Sequence, residues 1–302
     1  MGTSYHILVI GPKINNDDIG SDVDELLEII NQQMSTYQDN SELLDINRAE
    51  LNVWLPISKP LFEVLALSQD INGQSDGAFD VTVGPVVNLW GFGPDQHTEE
   101  VPHSELISAT MDTIGADSFE LDINTFAIKK HKAIYIDLSA IAKGYAVDKL
   151  AELLMSKGYY DYMVEIGGEI RVSGQNSRGE SWRLAIEKPV STIGKVFQTI
   201  AITNGGIATS GDYRNYFEID GARYSHTIDP LTGYPVEHDL VSVTVIASSA
   251  IVADAWATAL NVLGGKKGLA IAERKKLAAY FITNKDGELV AQHSQAFSPY
   301  LD

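Results

Sequence analysis

Hydrophobic positions along this chain recur near every 3.6 residues in some segments and near every two in others, which predicts both helices and strands. A run of apolar and β-branched residues predicts a strand over 4–10. A helical period predicts helices over 18–33 and 58–71, and Gly73 is expected to end the second. The apolar face of the first helix is expected to consist of Leu26, Leu27, Ile29 and Ile30.

The second half of the chain combines helical segments with several short strands. A helix is predicted over 139–156, and the hydroxyl of Ser139 is expected to cap its first turn. Asp220-Gly221 predicts the turn of a hairpin whose second strand includes His226 and Ile228. Strands are predicted over 162–166, 170–173, 182–187, 197–202, 215–219, 223–228, 241–247 and 278–283, with helices around Asp254 and over 267–273. These elements predict an α+β fold with mixed or antiparallel sheets and flanking helices.

The charge and the cysteine content of the chain exclude several classes of binding partner and several kinds of site. The 302 residues suffice for one large domain or two smaller ones, and 22 basic against 41 acidic residues give a net charge of −19. This charge repels nucleic acid and anionic membrane surfaces, so we expect neither as a partner. The absence of cysteine excludes disulfides, thiol nucleophiles and thiolate metal sites. No apolar run approaches the roughly 20 residues that span a bilayer.

Asp254 and Thr258 form the first candidate site. Their spacing puts a carboxylate and a hydroxyl on one face of the predicted helix, among small residues. Such hard oxygen ligands suit magnesium or calcium. The alternative is a solvated aspartate and a threonine that bonds back to the carbonyl four residues earlier. The pair alone leaves both interpretations open.

A second candidate is the start of the helix predicted over 139–156, where Asp137 and Lys143 accompany a run of backbone N–H groups. A helix N-terminus attracts phosphate, and Lys143 adds a positive charge. An ordinary amphipathic helix with an exposed lysine explains the same pattern.

His226 and Tyr37 offer two further chemical groups. An imidazole titrates near neutral pH, so His226 is suited to act as a general base, although the pattern alone favours a purely structural histidine. Tyr37 follows a helix end, where its ring is suited to stack on a planar ligand or to cover the core. The glycines of 77–93 suggest close packing of the backbone, and Phe79 and Trp90 are expected to be core residues.

Several other activities lack their motifs. The segment 73–77 matches G-x-S-x-G, but a predicted helix precedes it where a nucleophile elbow requires a strand. The phosphate-binding loop of NTPases, the dinucleotide fingerprint G-x-G-x-x-G and the zinc motif H-E-x-x-H are missing. Serine-hydrolase, kinase-like, Rossmann and zinc-hydrolase interpretations therefore lose support.

Taken in order, these segments resemble the ApbE family of flavin transferases across nearly the whole chain. The matching motifs are Met-Gly-Thr-x-Tyr at the start, Met34-Ser-Thr-Tyr37 with Ser41-Glu42, Gly77-Ala-Phe-Asp80 through Trp90-Gly-Phe-Gly93, Asp137 to Lys143-Gly144, Glu165-Ile-Gly-Gly168, His226-Thr-Ile-Asp-Pro230 with Thr232-Gly233, and Asp254 to Thr258. Each motif is short, but their common order makes coincidence improbable.

The resemblance implies a magnesium-dependent enzyme that splits FAD, joins FMN to a threonine of an acceptor protein and releases AMP. It implies an ApbE-like, T-fold-related architecture over 1–302, as a single domain or as two closely packed subdomains with the FAD site between them. Acceptors in the family are subunits of ion-pumping bacterial electron-transport complexes. Hydrolysis of FAD to FMN and AMP, and flavin binding without chemistry, are the alternatives.

The resemblance also assigns roles to individual residues. It gives Mg2+ the main-chain carbonyl of Ala140 and the side chains of Asp254 and Thr258, and it makes His226 the base. The flavin contacts that it implies are Met1, Tyr37, Ala78, Phe79, Asp80, Asp137, Lys143 and Ile228. Family members usually begin with an export signal and often a lipid-modified cysteine. The resemblance therefore implies a periplasmic location and a lipid anchor on the inner membrane for the natural precursor.

Overall fold

The computed structural model describes residues 2–11, 16–93, 100–189, 194–211, 216–219 and 222–302, which fall into two compact units. The first unit comprises the described residues of 1–29, 141–214 and 238–302, and the second those of 30–140 and 215–237. None of the helices in the described part of the chain is long and apolar enough to cross a membrane.

The helices and strands are numbered in chain order. The helices are α1 (Asn16–Met34), α2 (Glu42–Arg48), α3 (Lys59–Gln74), α4 (Gly84–Leu89), α5 (Ser104–Met111), α6 (Ala142–Ser156) and α7 (Ala250–Lys275). The strands are β1 (Tyr5–Ile10), β2 (Leu55–Pro56), β3 (Phe119–Asp122), β4 (Ala127–Lys130), β5 (Asp161–Ile166), β6 (Glu169–Ser173), β7 (Trp182–Glu187), β8 (Val196–Ile202), β9 (Gly205–Ser210), β10 (Tyr216–Ile219), β11 (Ala222–Ser225), β12 (Leu240–Ala247), β13 (Ala278–Lys285) and β14 (Glu288–His293). Short 3₁₀ helices lie at Ala116–Ser118 and Gln295–Tyr300.

The first unit is built on a seven-stranded sheet in the order β1-β5-β6-β9-β12-β13-β14, with each neighbouring pair antiparallel. Strand β5 shows why the sheet has two different faces, because Tyr162, Val164 and Ile166 alternate with less buried residues. Helices α6 and α7 contact each other and this sheet. A hydrophobic cluster in this unit contains Trp182 and Ile200 of the β7–β8 hairpin, together with Phe297 near the C-terminus.

Helix α7 carries Asp254 and Thr258 in its first half. At Gly264 the backbone takes φ 72° and ψ 173°, so the helix is interrupted there before it continues to Lys275. The separate helix predicted over 267–273 is the second part of α7. Asp254 and Thr258 thus lie on the regular first segment, one turn apart.

The second unit contains α2 to α5, the sheet β2-β4-β3 and the β10–β11 hairpin. Two polar residues of the predicted motif Ser41-Glu42 organise its helix starts. The Ser41 hydroxyl accepts the N–H of Leu44 at 3.2 Å and caps α2. Glu42 accepts both the N–H and, at 2.7 Å, the hydroxyl of Ser58, which itself caps α3.

The structure corrects four local predictions. Ser139 does not cap α6, which begins three residues later; its N–H instead donates to Oδ1 of Asp137 at 2.8 Å in a local turn. Gly73 lies inside α3 and does not end it. Strand β11 ends at Ser225, so His226 and Ile228 are not strand residues as predicted. The apolar face of α1 is also different, with Ile19, Val23, Ile30 and Met34 buried and Ile29 44% exposed.

Candidate active site

In the first unit, α6 and α7 cross with almost no space between their backbones. A Cβ placed on Gly144 would lie 2.5 Å from the carbonyl oxygen of Ala250 and 2.7 Å from Cα of Ile251, so only glycine fits there. This approach lets the N–H of Gly144 donate to Oδ2 of Asp254 at 2.9 Å. The carboxylate of Asp254 is thereby held at the start of α6.

Three charged side chains gather at this crossing. Lys143 Nζ lies 3.3 Å from Oε1 of Glu169, and the side chain of Glu169 is 6% exposed. Asp254 is buried as well and interacts with the charge of Lys143. The group therefore holds two carboxyls against one ammonium in surroundings with little water.

The excess of carboxyl groups over ammonium groups, together with burial, shifts the pKa values of all three side chains. Burial, followed by the negative charge of Asp254, raises the pKa of Glu169 to about 8 against the opposing effect of Lys143. Burial likewise raises the pKa of Asp254, although Lys143 and the N–H of Gly144 favour its ionised form. For Lys143, burial alone would lower the pKa, but the charges of Asp254 and Glu169 outweigh burial and raise it. The crossing therefore favours an additional positive charge.

Three side-chain oxygen atoms of Glu169, Asp254 and Thr258 have no hydrogen-bond partner among the described residues. Oε2 of Glu169 is buried and has no hydrogen-bond partner among the described residues. Within the same part of the chain, Oδ1 of Asp254 and the hydroxyl of Thr258 also receive and make no hydrogen bond. Helical hydroxyls elsewhere do bond back, since Ser68 reaches the carbonyl of Val64 at 2.7 Å.

These donors fit a hard divalent cation, because carboxylate and hydroxyl oxygens are the ligands that magnesium and calcium prefer. No group of three or more His, Cys, Asp or Glu side chains among the described residues is arranged to hold a metal ion. A cation at Asp254 and Thr258 would therefore depend partly on oxygens from the main chain, water or substrate.

In the second unit, Asp80 joins two loops. Its Oδ1 accepts the N–H and hydroxyl of Thr82 at 2.8 and 2.6 Å, and its Oδ2 accepts the N–H of Ala116 at 3.1 Å. Burial raises the pKa of Asp80, while these hydrogen bonds oppose the rise. The N–H of Asp137 donates to the carbonyl of Val81 at 2.7 Å, so Asp80 and Asp137 belong to one hydrogen-bonded loop region.

His226 follows an aromatic cluster of the second unit. Its ring meets Phe92 edge-on at 6.3 Å, and Phe92 stacks on Phe217 at 5.2 Å. The ring of Trp90 belongs to the same cluster, and its Nε1–H donates to the carbonyl of Gly233 at 2.9 Å. Trp90 therefore links the cluster to the turn that follows His226.

The remaining predicted residues differ in their exposure. Ala78 and Phe79 are buried in the second unit, as is Ile228, which forms an isolated bridge with Pro235. Tyr37 projects into solvent with 77% of its surface exposed. Asp137 and Ala140 are half-buried. Met1 lies outside the described residues.

The sequence patterns did not identify Glu169 or Asp148. Glu169 directly follows Gly168 of the motif that begins at Glu165, and it is the first residue of β6. Asp148 lies on α6, is 5% exposed and pairs with Arg171 at 2.5 Å. The signal available in the sequence was a charged residue directly beside an apolar one in a predicted strand or helix, Glu169 before Ile170 and Asp148 after Val147.

Comparisons with known proteins identify the family. A model described as the ApbE family matches residues 1–281. An FAD:protein FMN transferase of Vibrio cholerae is 44% identical over 303 residues, which cover 100% of this chain and 90% of that protein. A protein of the same name from Haemophilus influenzae is 43% identical, over 98% of this chain and 88% of the relative. The chain therefore belongs to the ApbE family.

The fold comparison agrees. The solved structure named flavin transferase ApbE from Vibrio cholerae matches with a TM-score of 0.92 at 41% identity, and the match covers 100% of this chain and 96% of that one. The predicted α+β class with flanking helices is confirmed, and the chain is a transferase.

Proposed function

We propose that this chain transfers FMN from FAD to a threonine hydroxyl of an acceptor protein in a magnesium-dependent reaction that releases AMP. The observation that carries the proposal is the α6–α7 crossing, where Asp254 presents an unbonded oxygen to the charge of Lys143 and Thr258 lies one helical turn further along α7. Membership of the ApbE family and the names of the relatives support flavin transfer from FAD.

Asp254 and Thr258 are the side chains that would hold Mg2+, and the family resemblance adds the main-chain carbonyl of Ala140. When bound, the ion would neutralise charge that develops on the pyrophosphate oxygens. Lys143 contributes a fixed positive charge for the same oxygens, and Glu169 holds its ammonium in place at 3.3 Å.

The proposed reaction requires a group on the protein that accepts the threonine proton. The threonine oxygen attacks the phosphorus on the FMN side of the pyrophosphate, and the bond from that phosphorus to the bridging oxygen breaks, so that AMP leaves. The threonine proton requires an acceptor, because a neutral hydroxyl is a poor nucleophile. We assign this role to the imidazole of His226, whose ring contacts Phe92 edge-on.

We propose flavin contacts from the residues that the family resemblance assigns, which are Met1, Tyr37, Ala78, Phe79, Asp80, Asp137, Lys143 and Ile228. Both oxygens of Asp80 already accept hydrogen bonds, so we expect this carboxylate to shape the loop more than to bind the flavin directly. The exposed ring of Tyr37 is available to stack on an isoalloxazine ring.

The test combines the protein with FAD, Mg2+ and a candidate acceptor subunit of a bacterial ion-pumping electron-transport complex. Transfer gives equal amounts of AMP and of acceptor whose mass has increased by FMN less one water. AMP without a modified acceptor indicates FAD hydrolysis, and the absence of both products contradicts any FAD-cleaving activity.

Two variants separate the assigned roles. Asp254→Ala should abolish magnesium-dependent turnover, and full activity in this variant refutes the metal assignment. His226→Ala should lower the transfer rate by about 10²–10⁴-fold, the usual contribution of a general base, while FAD affinity stays nearly unchanged. A normal rate in the histidine variant would remove it as the base.

We further propose, from the family resemblance alone, that the protein acts in the periplasm. Cell fractionation with antibody detection tests this, and recovery of the protein in the cytosolic fraction contradicts it.

A further inference from the structure

Helices α6 and α7 both begin without a cap from their own chain segment. The residues at the N-cap positions, Ile141 and Ser249, make no side-chain hydrogen bond to the first turn of their helices. Because the first N–H groups of a helix have no partner within the helix, other groups must satisfy them when they are buried. Here a carboxylate of each helix accepts N–H groups in the first turn of the other helix.

The two bonding patterns are reciprocal. Asp148 of α6 accepts the N–H groups of Ala250 and Ile251, the first two residues of α7, at 2.9 Å each. Asp254 of α7 accepts the N–H of Gly144, in the first turn of α6, at 2.9 Å. A carboxylate at the positive end of a helix also interacts favourably with the helix dipole.

Arg171 of β6 completes this arrangement. Its guanidinium lies 2.5 Å from Oδ1 of Asp148, whose residue is 5% exposed. A buried carboxylate requires such pairing, and a charged hydrogen bond restricts its orientation. Asp148 is therefore fixed from two sides, by β6 and by the start of α7.

We propose that Asp148 is a positioning residue for the cation site: by holding the first turn of α7, it determines where Asp254 and Thr258 present their free oxygens. This inference rests on the proposed function, because it takes those two residues as cation ligands. Asp148 binds the N–H of Ala250, which lies one turn before Asp254 in α7. The hydrogen bond from Gly144 to Asp254 also depends on the position of α7. Loss of the Asp148 charge should therefore disturb both helix starts.

The first measurement is Mn2+ binding by calorimetry to the folded full chain without FAD. We expect Asp148→Asn to weaken binding by about 10–100-fold, the usual effect of changing a group that orients a metal ligand. The conservative Arg171→Lys variant should show a smaller loss in the same direction. It also provides a second measurement if Asp148→Asn folds poorly.

Ser294→Ala is the matched structural control. Its hydroxyl is also buried in the first unit and bridges two backbone groups, the carbonyl of Leu277 and the N–H of Ala279. This variant should lower the melting temperature and leave Mn2+ affinity unchanged.

Hydrogen exchange provides a second measurement that needs no metal. Asp148→Asn should accelerate exchange at Gly144 as well as at Ala250 and Ile251, because Asp254 moves with α7. Unchanged exchange at Gly144, or wild-type Mn2+ affinity in Asp148→Asn while Asp254→Ala has lost binding, overturns the positioning role and leaves the proposed function intact. Equal Mn2+ binding by the wild type and Asp254→Ala overturns the cation assignment itself, and with it this inference.

Discussion

Glu169→Gln isolates the electrostatic cost of the α6–α7 crossing. The pKa of Glu169 rises from its ordinary value of 4.5 to about 8 because burial and the charge of Asp254 oppose its ionisation. Since each tenfold change in proton affinity corresponds to about 1.4 kcal/mol, this rise corresponds to roughly 5 kcal/mol between the protonated and ionised forms. Glutamine keeps the shape of the protonated acid and removes that cost.

The sign follows from comparing the folded and unfolded chains. The folded protein binds the Glu169 proton more tightly, so the stability associated with it is fully present below about pH 4.5 and is lost as the pH rises through about 8. The rise of this pKa to about 8 is a net value that already includes the attraction of Lys143 for the ionised carboxylate, so no separate cost for that contact is subtracted. At pH 9 and without metal, we therefore expect Glu169→Gln to exceed the wild type in unfolding free energy by several kcal/mol, on the order of 5 kcal/mol.

Urea unfolding followed by circular dichroism between pH 5 and 9, with a chelator present, measures this difference. The exposed Glu288→Gln variant is the control and should follow the wild-type pH dependence. If Glu169→Gln and the wild type lose stability in parallel over this range, Glu169 is not the buried acid described above.

Three further substitutions test packing and hydrogen bonding in the two units. Gly144→Ala places a Cβ 2.5 Å from the Ala250 carbonyl oxygen and should destabilise the protein by about 1–3 kcal/mol. Gly73→Ala has open space around the added Cβ and should stabilise α3 by up to about 1 kcal/mol. Thermal unfolding measures both changes, and a Gly144→Ala variant as stable as the wild type contradicts the close crossing. Trp90→Phe removes the donor to the Gly233 carbonyl and should cost about 1–3 kcal/mol in urea unfolding, and an unchanged midpoint would argue against this link to the His226 turn.

The sequence predicted most elements because their hydrophobic periods were clear, and it failed where the surroundings decide between local alternatives. In α1, several apolar residues lie close together, and only tertiary contacts select Val23 and Ile30 over Ile29. Strand β9 was not predicted, since it begins with two glycines. A Cβ on Gly206 would lie 2.2 Å from the start of α7, which explains why a strand carries glycine there.

The candidate site was predictable where its residues share one element. The spacing of Asp254 and Thr258 on a helix was sufficient to place them together. The roles of Glu169 and Asp148 depend on contacts between β6, α6 and α7, which no local pattern contains. The strand assignment of His226 failed because the Ser225 hydroxyl accepts the N–H of Thr227 at 3.0 Å and turns the chain out of β11.

The most direct test of the proposed function is the mass of the acceptor after incubation with the protein, FAD and Mg2+. The account predicts an increase equal to FMN less one water, located on a threonine, with one AMP released per modified acceptor. The increase should disappear with Asp254→Ala and when that threonine is replaced by valine. An acceptor of unchanged mass, despite complete conversion of FAD to FMN and AMP, would contradict transfer and identify the reaction as hydrolysis.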